Sequence, residues 1–169
     1  MKNIILFLLF LAACGSNPLS TIQNIETSCP KVFFASEHNT YVDTKSTLIN
    51  LDNIAYIAKI NNYAFNKGCF NVEDAFNSEL SILFVITPHT SEINEIFLPF
   101  YVAIINSQNF VLDIQYYNVQ GDFNINAETK ELVESEITKT ITIENQGTDE
   151  KNSIIIGFML DQQKLKILN

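Results

Sequence analysis

From Cys29 onward, apolar and polar residues alternate with a period near two, the pattern of strands that bury one face. Ile54, Tyr56, Ala58 and Ile60 share one side of residues 54–60, and Leu80, Ile82, Phe84 and Ile86 share one side of residues 80–86. Residues 137–143 alternate most cleanly, with Ile137, Lys139, Ile141 and Ile143 on one side and Thr138, Thr140 and Thr142 on the other. Two longer runs, residues 96–106 and 110–119, flank the polar Ser107-Gln108-Asn109 and predict a hairpin. Residues 154–160, IIIGFML, are nearly all apolar, as a central strand requires. Shorter strands are expected at Val32-Phe33-Phe34 and around residues 40–42. Pro99 interrupts one run; it has no N–H to give a ladder, so it belongs at an edge, a bulge or a strand start.

These seven to eight strands, broken every 8 to 20 residues, predict an all-β fold, a single immunoglobulin- or fibronectin-like β-sandwich. A closed barrel around a lipid is the architectural rival. Two segments read differently. Residues 127–136, AETKELVESE, predict one or two helical turns. Asp161 is placed to cap a short C-terminal helix in which Leu165 and Leu168 share a face. No internal repeat and no second domain are visible after Cys29.

The N-terminus has another pattern. Lys2 precedes an unbroken apolar run over residues 4–11, followed by Ala12 and Ala13, the layout of a secretory signal. The run is too short to span a bilayer, which takes about 20 apolar residues. Leu11-Ala12-Ala13-Cys14 resembles the lipobox of bacterial lipoproteins. That resemblance implies a signal over residues 1–13, a lipid on Cys14 and a tether through residue 28, leaving residues 29–169 as the folded domain. Gly15, where the sorting rule of such lipoproteins reserves Asp for inner-membrane retention, favours the outer membrane. With Cys14 acylated, Cys29 and Cys69 remain. In an exported chain two such cysteines form a disulfide. A zinc site is the competitor, but His38 and His89 are far apart and no CxxC accompanies them.

Composition narrows the partners. The chain of 169 residues carries 10 basic and 19 acidic residues, a formal charge of -9. All ten basic residues are Lys. Without Arg or a basic stripe it lacks the electrostatic footprint of a nucleic-acid binder. Acidity likewise leaves the acyl chains, not charge, to hold the domain on anionic lipid.

Candidate chemistry is sparse. Glu128, Glu131, Glu134 and Glu136 form the densest acidic cluster, but no Gly-centred calcium loop surrounds them. Glu73-Asp74 and Glu92 with Glu95 are paired carboxylates that nothing in the sequence brings together. Ser36, Glu37 and His38 are neighbours in sequence and so cannot converge as a triad. Aromatics cluster at Phe33-Phe34, at Phe97, Phe100 and Tyr101, and at Tyr116-Tyr117; most are expected in the core, but adjacent ones face opposite ways on a strand, so one of a pair can face outward to anchor a partner or a ligand.

Cys29-Pro30-Lys31-Val32, Gly68-Cys69-Phe70, Leu98-Pro99-Phe100-Tyr101-Val102-Ala103-Ile104 and Ile156-Gly157-Phe158-Met159-Leu160 stand in an order that resembles a family of uncharacterised alphaproteobacterial lipoproteins. The family has a CPxV start, a second Cys after the next strand, a PYFVAV-like strand and a VGFQLTPEQL-like ending. The chain departs at Met159 and at Asp161-Gln162-Gln163. The resemblance implies lipidation, the disulfide and the domain limits, and adds no activity. The expected function is therefore a membrane-anchored, non-catalytic interaction or structural module of the cell envelope, with an envelope protein as partner and no metal or cofactor. The alternative is a periplasmic binder of a small apolar ligand or lipid.

Overall fold

The computed structural model describes residues 25–45, 51–72, 75–146 and 152–168. Cys14, its signal and most of the expected tether lie outside them. The strands are β1 (Ile25–Thr27), β2 (Lys31–Phe34), β3 (Thr40–Thr44), β4 (Ile54–Val72), β5 (Ala75–Pro88), β6 (Glu95–Ile105), β7 (Val111–Asp122), β8 (Asn124–Ile125), β9 (Leu132–Val133), β10 (Ser135–Gln146) and β11 (Ser153–Phe158). One helix, α1 (Gln162–Leu168), follows them. Eight of these strands have four or more residues among those described, matching the seven to eight expected.

The strands form an all-β sandwich. In the first sheet β1 and β3 share one edge of β4, followed by β5 and β10. The second sheet runs β2-β11-β6-β7. β2 and β11 are parallel, and the other ladders are antiparallel. Among the described residues no ladder joins the two sheets, so the barrel rival is excluded.

The alternating residues fill the space between the sheets. Leu80, Ile82, Phe84 and Ile86 of β5 face Ile96, Leu98, Phe100, Val102 and Ile104 of β6 and Ile154, Ile156 and Phe158 of β11, all buried. Each such side chain contributes about 1.5–3 kcal/mol by leaving water. Aromatic rings run through the centre: Phe84 lies 5.2 Å from Phe100 and 5.7 Å from Phe158, and Tyr41 lies 5.5 Å from Phe158.

Pro99 sits inside β6, a strand flanked on both sides by the sheet order, yet it breaks no ladder. The β11 ladder ends at the pair Phe158–Phe100. Beyond it the Pro99 carbonyl, on the β11 side, accepts the N–H of Met159. The absent N–H would point the same way, where β11 has already ended. Two residues earlier, the buried Tyr56 hydroxyl donates to the Phe97 carbonyl (2.9 Å) and accepts its N–H (3.0 Å). This closes backbone groups left open by the short β11 and ties the sheets together.

Two readings change. The strands expected at residues 54–60 and 80–86 are the central parts of one long β4–β5 hairpin. Register shifts lie between Ile60 and Asn62 and between Phe65 and Cys69, with Gly68 at φ 77° in the second. Residues 127–136 are not helical. The Asn126 side chain accepts the N–H groups of Glu128 and Thr129, Lys130 takes φ 61°, and the chain turns back between β8 and β9. Leu132 then packs on the core, and β10 starts at Ser135. The Asp161 cap is found as expected, its carboxylate accepting from Gln163 (2.9 Å) and Lys164 (2.8 Å).

The pairings place several features at one end of the sandwich. Ile25 stands opposite Asn71 in the far half of β4. A disulfide joins Cys29 to Cys69 there, across 5.2 Å between Cα atoms. β2 and β11 start side by side, and Ser153 stands opposite Ile105, the last residue of β6. The N-terminal approach, the bridge and the β6–β7 turn therefore share that end.

Candidate functional site

The alternation that buries one side of the second sheet exposes an unusual other side. The pairings align Phe33, Ile155, Ala103 and Ile114 in one row across four strands. The next row is Lys31, Ser153, Ile105 and Val111, and on the other side Gly157, Tyr101 and Tyr116 follow. Phe33 is 52% exposed, Tyr116 65% and Phe97, further along the face, 47%. The first sheet's outer side is mixed: Ile57, Leu83 and Val85 lie there, each only partly exposed, among many polar side chains. Ser81 and Thr140 share a hydrogen bond of 2.7 Å, Asn77 donates to Glu144, Thr87 donates to Glu134, and Lys67 pairs with Glu79 at 2.6 Å. Solvent-facing sheet sides are ordinarily polar, so the apolar side is the candidate binding surface.

The expectation that adjacent aromatics split between core and surface holds. Phe34 packs on the core while Phe33 is exposed, Phe100 is buried while Tyr101 faces outward, and Tyr117 stacks on Phe100 at 5.4 Å while Tyr116 faces outward.

The Tyr101 ring is laid flat by a glycine. A Cβ built on Gly157 would stand 2.6 Å from the Tyr101 hydroxyl oxygen and 2.7 Å from its Cζ. His38 limits the ring from the side, edge-on at 5.9 Å, and is itself held by an Nδ1 contact of 3.0 Å to the Phe158 carbonyl. Burial raises the Tyr101 phenol above its ordinary pKa. Gly157→Ala is expected to lower stability by about 1–2 kcal/mol by displacing this ring. In a Tyr101→Ala background the same change is expected to be close to neutral, and a thermal double-mutant cycle reads the difference.

Among the described residues β7 is the sheet's open edge, paired only with β6. Edge strands usually carry Lys, Pro or inward charges that discourage pairing. β10, the edge of the first sheet, has Lys139 on its core-facing side. β7 has neither Lys nor Pro; its inward-side charge is Asp113, which stands opposite the buried Ile104 and is held by the Gln115 amide at 2.8 Å. At its start Phe110, Val111 and Leu112 are three consecutive exposed apolar residues.

The carboxylates read as candidates do not converge. Glu128, Glu131, Glu134 and Glu136 are exposed along the β8–β10 segment. Glu92 pairs with Lys45 at 3.3 Å, and Glu95 stands opposite Asp122 at the start of β6. Glu73 and Asp74 lie outside the described residues. Ser36, Glu37 and His38 occupy a turn closed by the His38 N–H on the Ala35 carbonyl. Among the described residues no three of His, Cys, Asp and Glu come together. An open groove of about 450 Å³ lies along Glu95, Ile96, Phe97, Gln120, Gly121 and Asp122. Two carboxylates at its margin suit it poorly to an apolar ligand.

One polar cluster has no signal in the sequence beyond the helix cap. The Lys164 ammonium lies 3.9 Å above the Tyr41 ring centre, donates to the Tyr41 hydroxyl and approaches Asp43 at 3.6 Å. It pins α1 to β3. Burial lowers the Lys164 pKa, against the opposing pull of Asp43 and Asp161. Burial raises the phenols of Tyr41 and Tyr56, with Asp43 and Asp161 adding to the rise at Tyr41. A raised phenol pKa leaves stability unchanged below about pH 10 and removes it as pH climbs further. Lys164 acts in the opposite sense, favouring the fold as pH rises toward its unfolded pKa. Two phenols outweigh one amine. The thermal midpoint is expected to fall above pH 10, and Tyr41→Phe should flatten that fall in a pH series of melting curves.

Comparison with protein families, with curated proteins and with solved structures yields no match for this chain. The case for function rests on the residues themselves.

Proposed function

We propose that this protein is a lipid-anchored, non-catalytic binding module of a bacterial cell envelope, held on the periplasmic side of the outer membrane through Cys14. The outer face of the second sheet engages a protein partner. The observation that carries the partner reading is the difference between the two outer faces: Phe33, Phe97, Ile114 and Tyr116 stand exposed on one, whereas Ile57, Leu83 and Val85 on the other are only partly exposed among Thr, Ser, Glu and Lys. Exposed aromatics that are rigid and amphipathic make effective anchors in protein interfaces. The anchor reading is supported by the lipobox-like residues 11–14, the resemblance to a lipoprotein family, and a disulfide suited to an oxidising compartment.

Two experiments separate the parts. Cys14→Ser is expected to release the domain from membranes or leave the signal uncut; unchanged membrane fractionation and processing sink the anchor. A photo-crosslinking residue at positions 33, 114 and 116 is expected to trap one common protein, and the same residue at position 140 none. Identical adducts at all four positions overturn the partner face.

A further inference from the structure

We propose that the β6–β7 tip, Phe110-Val111-Leu112, is a bilayer-contact site that stands the sandwich end-on against the membrane carrying its anchor. This rests on the lipid-anchor reading above. The three side chains are 65%, 56% and 49% exposed in sequence order. Consecutive exposed apolar residues run against the alternation that governs the rest of β7. The turn that presents them is held from within. The Asn106 side chain accepts the N–H groups of Gln108 and Phe110 at 2.9 Å each, and Asn109 takes φ 62°. Residues 106–112 carry no charge.

The occupant follows from where the N-terminal chain joins the fold. It enters β1 at Ile25, at the same end of the sandwich as this tip. The 11 residues from Cys14 to Ile25 reach at most about 40 Å. A lipid on Cys14 therefore turns this end toward the bilayer and lets the tip reach it without requiring the chain to reverse. A second copy of the chain fits less well. Three side chains on a convex turn fall far short of the roughly 800 Å² per partner that a stable protein interface buries. An uncharged apolar tip also suits a net-acidic domain, which gains nothing from anionic headgroups. With the strands standing off the membrane, the apolar sheet face and the open β7 edge point sideways, toward a partner.

The chain has no Trp, so a single introduced one reports its own surroundings. Full-length lipidated protein bearing Phe110→Trp is reconstituted in phosphatidylcholine vesicles with and without brominated acyl chains. Thr140→Trp on the first sheet serves as the control. The tip Trp is expected to lose at least half its emission in brominated vesicles, with a blue-shifted maximum, while the control changes little. Equal emission at the tip with and without bromine, in protein that still floats with the vesicles, overturns the tip contact and leaves the anchor intact. Protein that fails to float overturns the anchor and the proposal together. Emission at the tip that is blue-shifted but unquenched, with sedimentation as a dimer abolished by Leu112→Asp, assigns the tip to a second copy and likewise overturns it.

Discussion

Cys29→Ala is expected to lower the stability of the domain by about 4 kcal/mol, the chain-entropy value for a closed loop of 40 residues. For a domain of this size that is a fall of roughly 10–15 °C in thermal midpoint. Cys29 is the cleaner side to cut because it is exposed, whereas Cys69 is 1% exposed. Removing the Cys29 sulfur leaves the Cys69 thiol in place, near the Ser78 hydroxyl that donates to the Gly68 carbonyl. The effect is then the cross-link itself and not a new cavity. Structurally, the bridge fastens the short β1 and the start of β2 to the far half of β4. β1 has only three residues and cannot hold that junction alone. Reductant should bring the natural protein down to the midpoint of the variant and leave the variant unchanged. Equal midpoints with and without reductant would contradict the account.

Phe84→Ala is expected to remove about 3–5 kcal/mol, as large a loss reached by a different route. Phe84 is fully buried on β5, and its ring meets Phe100 of β6 and Phe158 of β11. It is thus a contact between the two sheets and not only within one. Truncation loses the transfer energy of the ring and leaves a void that stiff strands on both sides cannot close. Phe84→Leu keeps most of the volume and should lose about 1.5 kcal/mol or less. Phe110→Ala, an equally large deletion at an exposed site, should stay within about 0.5 kcal/mol. Chemical denaturation of the three variants reads the order directly. A loss at Phe110 equal to that at Phe84 would refute the assignment of core and surface.

Much of the fold was legible because its period is short-range. Ile54 to Ile60, Leu80 to Ile86 and Ile137 to Ile143 each separate one side from the other, and the Asp161 cap announces α1. What misled was local. Residues 127–136 combine Glu, Lys and Ala, which favour helix, with Asn126 and Lys130, which turn the chain. The tertiary demand that Leu132 reach the core decided in favour of a hairpin. The far half of β4 was invisible because it has two bulges and exposed residues on both faces, so no alternation survives there.

The candidate surface was legible only in part. Sequence alone set the strand periods, the Cys29–Cys69 pairing and the rule that adjacent aromatics face opposite ways on a strand, since all three follow from chain geometry over short spans or from elimination among few residues. Only the tertiary structure decided that Phe33, Ile155, Ala103 and Ile114 form one row, that Tyr101 lies over Gly157, and that the N-terminal chain enters at the same end of the sandwich as Phe110. Those facts depend on the register between strands far apart in sequence. Register is set by the mutual fit of two buried faces, which no single strand records.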